Sequence, residues 1–357
     1  MKFSLNNGDL LKMKVLLVFG GKSSEFEVSC ASAASVIRNI KGHELTKLGI
    51  TKDGKWFITD SDADEIQNCK WVSNGSNKPV FIDVSNGAFI VDGEPLKFDV
   101  VFPVIHGRNG EDGRLQGLLE MMNVKYVGCR LLSSAVCMDK AYTNLIFEAN
   151  GIKHTPWVSF TRYEYEKNKD LILDNIVGKL KYPLFVKPSN AGSSVGITKC
   201  KNYEDIIEGI DEALKFDSKI IVEQSVENPL EIEVAVMGND EPIASTTGMI
   251  KAANDFYDYE AKYINSASET LIPANIDREL SEKIRKTAVA AYKACECKGL
   301  SRVDFLVSET GDIYINEINT LPGFTNISMF PKLFIAEGMS YSELINKLID
   351  FAISYKE

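Results

Sequence analysis

Near the end of the chain, the run RVDFLVSETGDIYINEIN alternates apolar and polar residues on both sides of Thr310-Gly311. A period of two is the mark of a half-buried strand, and a short Gly-containing break between two such runs marks a hairpin. A hairpin turning at Thr310-Gly311 sets Asp304 opposite Glu317 and Arg302 opposite Asn319, with all four side chains on one face. Carboxylates directly across a ladder repel unless a cation lies between them. Asp, Glu and Asn oxygens are the hard ligands magnesium prefers, usually completed by nucleotide phosphates. The alternative is a solvated face whose acids bind nothing. The strand pattern leaves the two readings level, and the arginine beside the acids tilts them toward a phosphate site.

The rest of the chain says what such a hairpin is attached to. At 357 residues it exceeds one ordinary core, so two or three lobes are expected. A net charge of −10 argues against a broad nucleic-acid or anionic-membrane surface. No stretch approaches the roughly 18 apolar residues of a membrane span. The opening MKFSLNNGDLLKMK lacks the apolar centre of a signal peptide and reads as a short disordered lead, with Met13 a candidate start. Seven scattered cysteines without a C-x-x-C pair read as reduced, mostly buried thiols of a cytosolic protein.

Lys14 to Phe19 is a short buried strand ended by Gly20-Gly21, with a helix over Ser29 to Ile40. ITKDGKWFIT reads as a hairpin around Asp53-Gly54, and Asp99 to Ile105 as another buried strand. This β-then-α alternation predicts an open parallel α/β sheet for the first third. The middle reads as strand, loop and strand from Leu180 to Cys200, then an acidic helix from about Tyr203 to Phe216. KIIVEQSV and LEIEVAVMG are strands of an antiparallel or mixed sheet, and Asp277 to Cys297 has helical spacing. Lobe boundaries are expected near Lys140 and Pro229, giving a lead over 1–13 and units over 14–139, 140–230 and 231–357.

Three lysines are placed to complete a phosphate site: Lys140 after Met138-Asp139, Lys187 at a strand end, and Lys262 in FYDYEAKY. Each alone is more often a surface lysine. Lys187 opens KPSNAGSSVG, which is not a P-loop because the lysine precedes the glycines. Glu223, ending the apolar run IIVE, is a candidate for an adenine amino group or a ribose hydroxyl, and Glu231 for the ribose. Phe256 is a candidate for packing on adenine, although a lone aromatic is more often core. GGKSSEFE lacks the G-x-G-x-x-G spacing of a dinucleotide turn, so its Glu25 is instead a candidate for a ligand ammonium group. In VIHGRNGEDG, His106, Glu111 and Asp112 lie in a Gly-rich loop after a buried strand, where open α/β sheets hold ligands.

In this order, FGGKSSEFEVS, HGRNGEDGRLQG, YVGC, MDK, FVKPSNAGSSVGI, FYDYEAKY, SRVDF and NEINTLPGFTNISMFPKL closely resemble the D-alanine–D-alanine ligase family of the ATP-grasp superfamily. Residues 1–13 and roughly 60–95 lie outside the resemblance. It implies an ATP-grasp fold: an N-terminal Rossmann-like α/β domain, a small central sheet domain and a C-terminal mixed α+β domain. It implies ATP contacts at Lys140, Lys187, Ser194, Glu223, Val226, Glu231, Phe256 and Lys262, with Asp304, Glu317 and Asn319 as ligands to two Mg2+ ions, for which Mn2+ substitutes. Glu25 would hold the first substrate's ammonium group, joined by Ser193 and Tyr263, while His106 orients that substrate. Arg302 and the Gly323 N–H would stabilise an oxyanion, Ser328 would bind the second D-alanine, and Met329 would wall its subsite. A cytoplasmic homodimer making a peptidoglycan precursor from D-alanine and ATP is implied as well. Sister ligases forming D-alanyl-D-serine or D-alanyl-D-lactate, a silent nucleotide-binding relative, and an ATP-grasp ligase of unrelated substrate are the rival readings. Lys262-Tyr263 argues against the lactate type and Met329 against serine, while a silent relative is expected to lack one of Arg302, Asp304, Glu317 and Asn319.

Overall fold

The computed structural model describes residues 12–193, 195–251 and 269–356. Among them, strands form three sheets. The first takes β1 (Lys14–Gly20), β2 (Glu44–Ile50), β3 (Trp56–Thr59), β4 (Lys78–Asp83), β5 (Ala88–Val91), β6 (Glu94–Pro95) and β7 (Val100–Pro103), in the order β6-β5-β4-β3-β2-β1-β7. The expected parallel arrangement is its heart: β1 pairs parallel with both β2 and β7. Beyond β2 the sheet continues antiparallel, starting with the hairpin around Asp53-Gly54. Residues 60–95 therefore extend this sheet rather than adding a lobe.

The helix Phe26–Asn39 begins three residues before the expected Ser29 and covers this sheet. Trp71 is buried against Phe19, with ring centroids 5.0 Å apart in an edge-to-face contact. Gly49 makes that fit possible, because a Cβ there would lie 2.4 Å from the indole ring.

The second sheet, β10-β9-β11-β8, is antiparallel throughout. It is built from β8 (Trp157–Thr161), β9 (Leu184–Pro188), β10 (Thr198–Cys200) and β11 (Lys219–Gln224). The helix Tyr203–Ala213 seals it with Ile206, Gly209, Ile210 and Ala213, a stripe at helical spacing, after an Asn202 cap that accepts from the Asp205 N–H. The third sheet, order β14-β13-β12-β15-β16, holds β12 (Leu230–Gly238), β13 (Ile243–Lys251), β14 (Glu269–Leu271), β15 (Gly299–Val307) and β16 (Ile313–Asn319). KIIVEQSV and LEIEVAVMG thus lie in different sheets. The helix Arg278–Ala294 packs on the third sheet through Ile284, Ala288 and Ala291.

The cores do not follow the order of the chain. The second sheet has a core of its own around Leu184, Val186, Ile210 and Val222. One core of the first sheet, by contrast, includes Phe324, Phe330 and Phe334 and, from the helix Tyr341–Ser354, Leu344 and Leu348. The first sheet and the end of the chain are a single packing unit.

Candidate active site

The hairpin has the register that places its acids as expected, reached by a different route. Ser308 N–H donates to the Asp312 carbonyl, closing a wider turn than a two-residue one at Thr310-Gly311, so Val307 pairs with Ile313. A bulge between Asp304 and Phe305 and their partners leaves Asn316 unmatched and restores the pairs Asp304–Glu317 and Arg302–Asn319. On the other side of β15, Glu233 of β12 pairs with Asp304. Three carboxylates therefore stand in register across three strands.

Their repulsion is met by cations. Arg302 donates from Nε and Nη2 to the two Asp304 oxygens at 2.7 and 2.6 Å, and its Nε lies 3.1 Å from Glu233 Oε2. Burial works against a charge on Arg302, but Asp304, Glu233 and Glu317 outweigh it and hold the guanidinium protonated. Lys140 Nζ lies 3.8 Å from Glu317 Oε2 and donates to the Ala191 carbonyl at 2.8 Å, so it bridges hairpin and Gly/Ser loop.

The other half of the site comes from the first sheet. Glu25 precedes the helix Phe26–Asn39 and accepts a hydrogen bond from the Ser193 hydroxyl. Ser193 takes a left-handed backbone conformation, φ 53°, unusual for serine. Gly107, at φ 71°, leaves room for the Glu25 carboxylate, which would lie 2.2 Å from a Cβ there. His106 is buried, with Nδ1 3.1 Å from the Leu321 carbonyl and Nε2 2.9 Å from the Ser32 hydroxyl. A carbonyl only accepts, so Nδ1 carries the proton and Nε2 accepts from Ser32. Ser32 in turn accepts from the Phe324 N–H at 3.1 Å, which ties the Gly-rich loop to the segment after β16. Ser328 precedes the helix Met329–Ala336, and its oxygen accepts from the Thr325 N–H at 3.0 Å.

Glu25, His106, Lys140, Ser193, Arg302, Glu317, Asn319, Gly323, Ser328 and Met329 all line one cavity of about 130 Å³. Met329 fits beside Gly248, where a Cβ would lie 2.3 Å from its Cε.

Lys187, Glu223, Val226, Glu231 and Asp304 do not line this cavity. Lys187 and Glu223 share one face of the second sheet, a diagonal step apart, and pair at 2.6 Å. Asn144 Nδ2 donates to the other Glu223 oxygen at 3.1 Å. Burial pushes the Glu223 carboxyl up, but Lys187, Asn144 and Lys140 more than offset it and hold it below the ordinary range. The pair therefore stabilises the fold above the usual glutamate pKa and loses that contribution as pH falls through the depressed value. Val226 follows β11, and Glu231 is the second residue of β12, two before Glu233. Ser194, Phe256, Lys262 and Tyr263 lie outside the described residues.

Two participants escaped sequence reasoning. Glu233 looks like any acid in a strand, and only the pairing of β12 with β15 brings it to Arg302. Asp139 caps the helix Lys140–Ala149 and also accepts from Ser189 and Lys219, at 2.7 and 2.9 Å to the nearer oxygens. Its signal was the Asp immediately before a helix start.

The donor set suits a hard cation. Among the described residues no three acidic, histidine or cysteine side chains converge to hold a metal unaided. Glu317 and Asn319 bring a carboxylate and an amide to the cavity, and Asp304, whose oxygens accept from Arg302, stands in register beside them, a partial oxygen shell of the kind phosphates complete.

A two-sheet clasp beside a carboxylate–arginine hairpin, facing an α/β unit across one cavity, defines a ligase of the ATP-grasp fold. Residues 14–129 match the family described as D-ala D-ala ligase N-terminus, and residues 146–350 that described as D-ala D-ala ligase C-terminus. The chain belongs to the D-alanine–D-alanine ligase family. It is 50% identical over 347 residues to the D-alanine--D-alanine ligase of Clostridium acetobutylicum, covering 96% of this chain and 99% of that one. The VanG D-Ala:D-Ser ligase from Enterococcus faecalis superposes with a TM-score of 0.88 at 38% identity, covering 96% of this chain and 99% of that one. The D-alanine-D-alanine ligase from Coxiella burnetii superposes at 0.83 with 32% identity, over 96% of this chain and 94% of that one.

Proposed function

We propose that the protein joins two D-alanines into D-alanyl-D-alanine, converting ATP to ADP and phosphate, as a step toward peptidoglycan precursors in the cytoplasm. The observation that carries the reading is the meeting of Glu25 and Ser193 with Arg302, Glu317 and Ser328 around one cavity. The Glu25 carboxylate, steadied by Ser193, receives the ammonium group of the first D-alanine. That substrate's carboxylate attacks the γ-phosphorus of ATP, giving D-alanyl phosphate and ADP. The amine of the second D-alanine then attacks the acyl carbon, and phosphate leaves. Arg302 and the Gly323 N–H face the oxyanion of that step, where preorganised donors matter most. Ser328 takes the carboxylate of the second D-alanine. His106, held by hydrogen bonds at both ring nitrogens, shapes the first subsite. Asp304, Glu317 and Asn319 would hold Mg2+ or Mn2+, which supplies neutralisation of phosphate charge when bound. Units over 14–139, 140–230 and 231–357, and a homodimer, belong to the same proposal.

Lys187, Glu223, Val226 and Glu231 are assigned to the nucleotide, outside the amino-acid cavity. Lys187→Ala is then expected to raise KM for ATP far more than KM for D-alanine. Equal effects on both in steady-state kinetics would remove Lys187 from the nucleotide site.

The decisive experiment is phosphate release with ATP and D-alanine as sole substrates, followed by competition between D-alanine and D-serine as acceptor. The likeness to the VanG ligase favours weighing the serine reading; Met329, Ile250 and Ile327 in the cavity wall weigh against it. An unpaired serine hydroxyl costs about 1–3 kcal/mol on mutational scales, roughly 5- to 150-fold in specificity. D-Alanine is therefore expected to give the higher kcat/KM, and Met329→Arg to shift preference toward D-serine. Wild-type preference for D-serine would replace this reading with the sister one.

A further inference from the structure

The third sheet changes character across its strands. The row of acids Glu317, Asp304 and Glu233, on β16, β15 and β12, has Gly248 as its next member on β13. The helix Met329–Ala336 lies over that glycine: a Cβ there would be 2.3 Å from Met329 Cε and 2.8 Å from a Leu333 methyl carbon. Two residues further along β13, Ile250 pairs with Thr270 of β14, and both line the cavity. Side chains two apart on a strand, or directly paired across two, share a face. Ile250 and Thr270 therefore stand on the face that this helix covers. Lys332, three positions after Met329 on the same helix, donates from Nζ to Thr270 Oγ1 at 3.3 Å.

An ammonium group has only protons to give, so Thr270 Oγ1 is the acceptor in that bond and its own hydroxyl proton is left for another partner. The cavity that Thr270 lines is where such a partner can sit. We propose that Thr270 and Lys332 recognise the carboxylate of the acceptor amino acid, and so restrict the second subsite to acceptors whose carboxylate is free. The inference rests on the ligation proposed above and adds to Ser328 a second hydroxyl and a cation. Ser328 meets one carboxylate oxygen and Thr270 the other. Lys332 stands behind Thr270 and does not itself line the cavity, so it is a positioning residue that aims and polarises the threonine hydroxyl. A hydrogen bond to a carboxylate is about twice as strong as one between neutral groups, and a cation behind the donor adds to it.

The charges of the cavity give this contact its purpose. An amino acid enters as a zwitterion and must present its amine, not its carboxylate, to the acyl phosphate. Turned the wrong way, its carboxylate would meet Glu233 and Glu317, which line the same cavity. The apolar Ile250, Ile327 and Met329 offer a carboxylate nothing, and Glu231, the other strand neighbour of Ile250, does not line the cavity. Thr270 and Ser328 are hydroxyls of that wall, and Lys332 supplies the positive charge behind it. The acceptor is thereby held with its carboxylate against the helix Met329–Ala336 and its amine toward Arg302.

The test is a competition between D-alanine and D-alaninamide in the presence of ATP. The amide has no carboxylate to phosphorylate, so it can serve only as acceptor. Both acceptors draw on the same D-alanyl phosphate, and the ratio of D-alanyl-D-alanine to D-alanyl-D-alaninamide, read by mass spectrometry, reports acceptor choice alone. Unfolded molecules make neither product, so a loss of stability leaves the ratio where it was. Comparing proteins cancels the different reactivities of the two amines. Thr270→Val and Lys332→Met are each expected to lower the ratio at least about tenfold relative to wild type. KM for ATP should stay as it is, and Lys332→Arg should keep the ratio near that of wild type. An unchanged ratio in either Thr270→Val or Lys332→Met overturns the inference and leaves the ligation reading standing. A wild type that forms neither product overturns the ligation reading itself, and this inference with it.

Discussion

Glu317→Gln is expected to lower ligation at least about a hundredfold, some 2.7 kcal/mol of barrier, while leaving the protein as stable as before or more so. The two halves of that expectation have one source. Both oxygens of Asp304 accept from Arg302, whereas Glu317 lines the cavity beside Lys140, where a cation and the transferring phosphoryl group would meet. In the resting protein Glu317 stands in a row with Asp304 and Glu233, so losing its attraction to Lys140 and Arg302 is offset by relief of that repulsion. Steady-state kinetics and a thermal melt on the same preparation separate the two effects. A variant retaining more than about a tenth of wild-type kcat would return the hairpin to a merely solvated face.

Arg302→Ala is expected to fail differently, losing activity and fold together. The guanidinium serves the Asp304 and Glu233 carboxylates at once and is itself largely buried. Removing one member of a buried ion cluster leaves its partners uncompensated, at about 3–5 kcal/mol. Losing an oxyanion donor lowers kcat by roughly 10²–10³-fold. Arg302→Lys separates the contributions, since it keeps the charge and gives up the two-pronged hydrogen bonding to Asp304. Arg302→Lys is therefore expected to recover most of the stability, read from urea unfolding, and little of the rate. Recovery of both would reduce Arg302 to a counter-charge.

The hairpin shows how much of this was legible beforehand. Alternation placed Arg302, Asp304, Glu317 and Asn319 on one face, and the face is as expected. The turn was misplaced by the assumption of a two-residue loop, and the bulge at Asn316 cancelled the error. Local pattern reports which face a side chain takes; bulges and loop lengths answer to tertiary packing, which pattern does not see. The same limit hid Glu233, whose part depends on a neighbour about seventy positions away. It also hid the antiparallel extension of the first sheet beyond the Asp53-Gly54 hairpin, built from strands as short as Glu94–Pro95. The stretch KPSNAGSSVG, by contrast, was legible as a strand-end lysine ahead of small residues, and the structure adds what those residues touch: Glu25 through Ser193, and Lys140 through Ala191.

The core shared by the first sheet and the end of the chain has a consequence for how the protein is made. Trp71, Phe19 and Val100 share a core with Phe324, Phe330 and Leu344, residues that leave the ribosome only after the whole second sheet has been synthesised. The central sheet, closed around its own apolar residues, can settle as soon as it emerges. The first segment to be translated must instead wait, with part of its apolar surface uncovered, until nearly all of the chain is out. Nascent chains halted before Phe324 should therefore be protease-resistant in the middle and sensitive at the front, an order of maturation opposite to the order of synthesis.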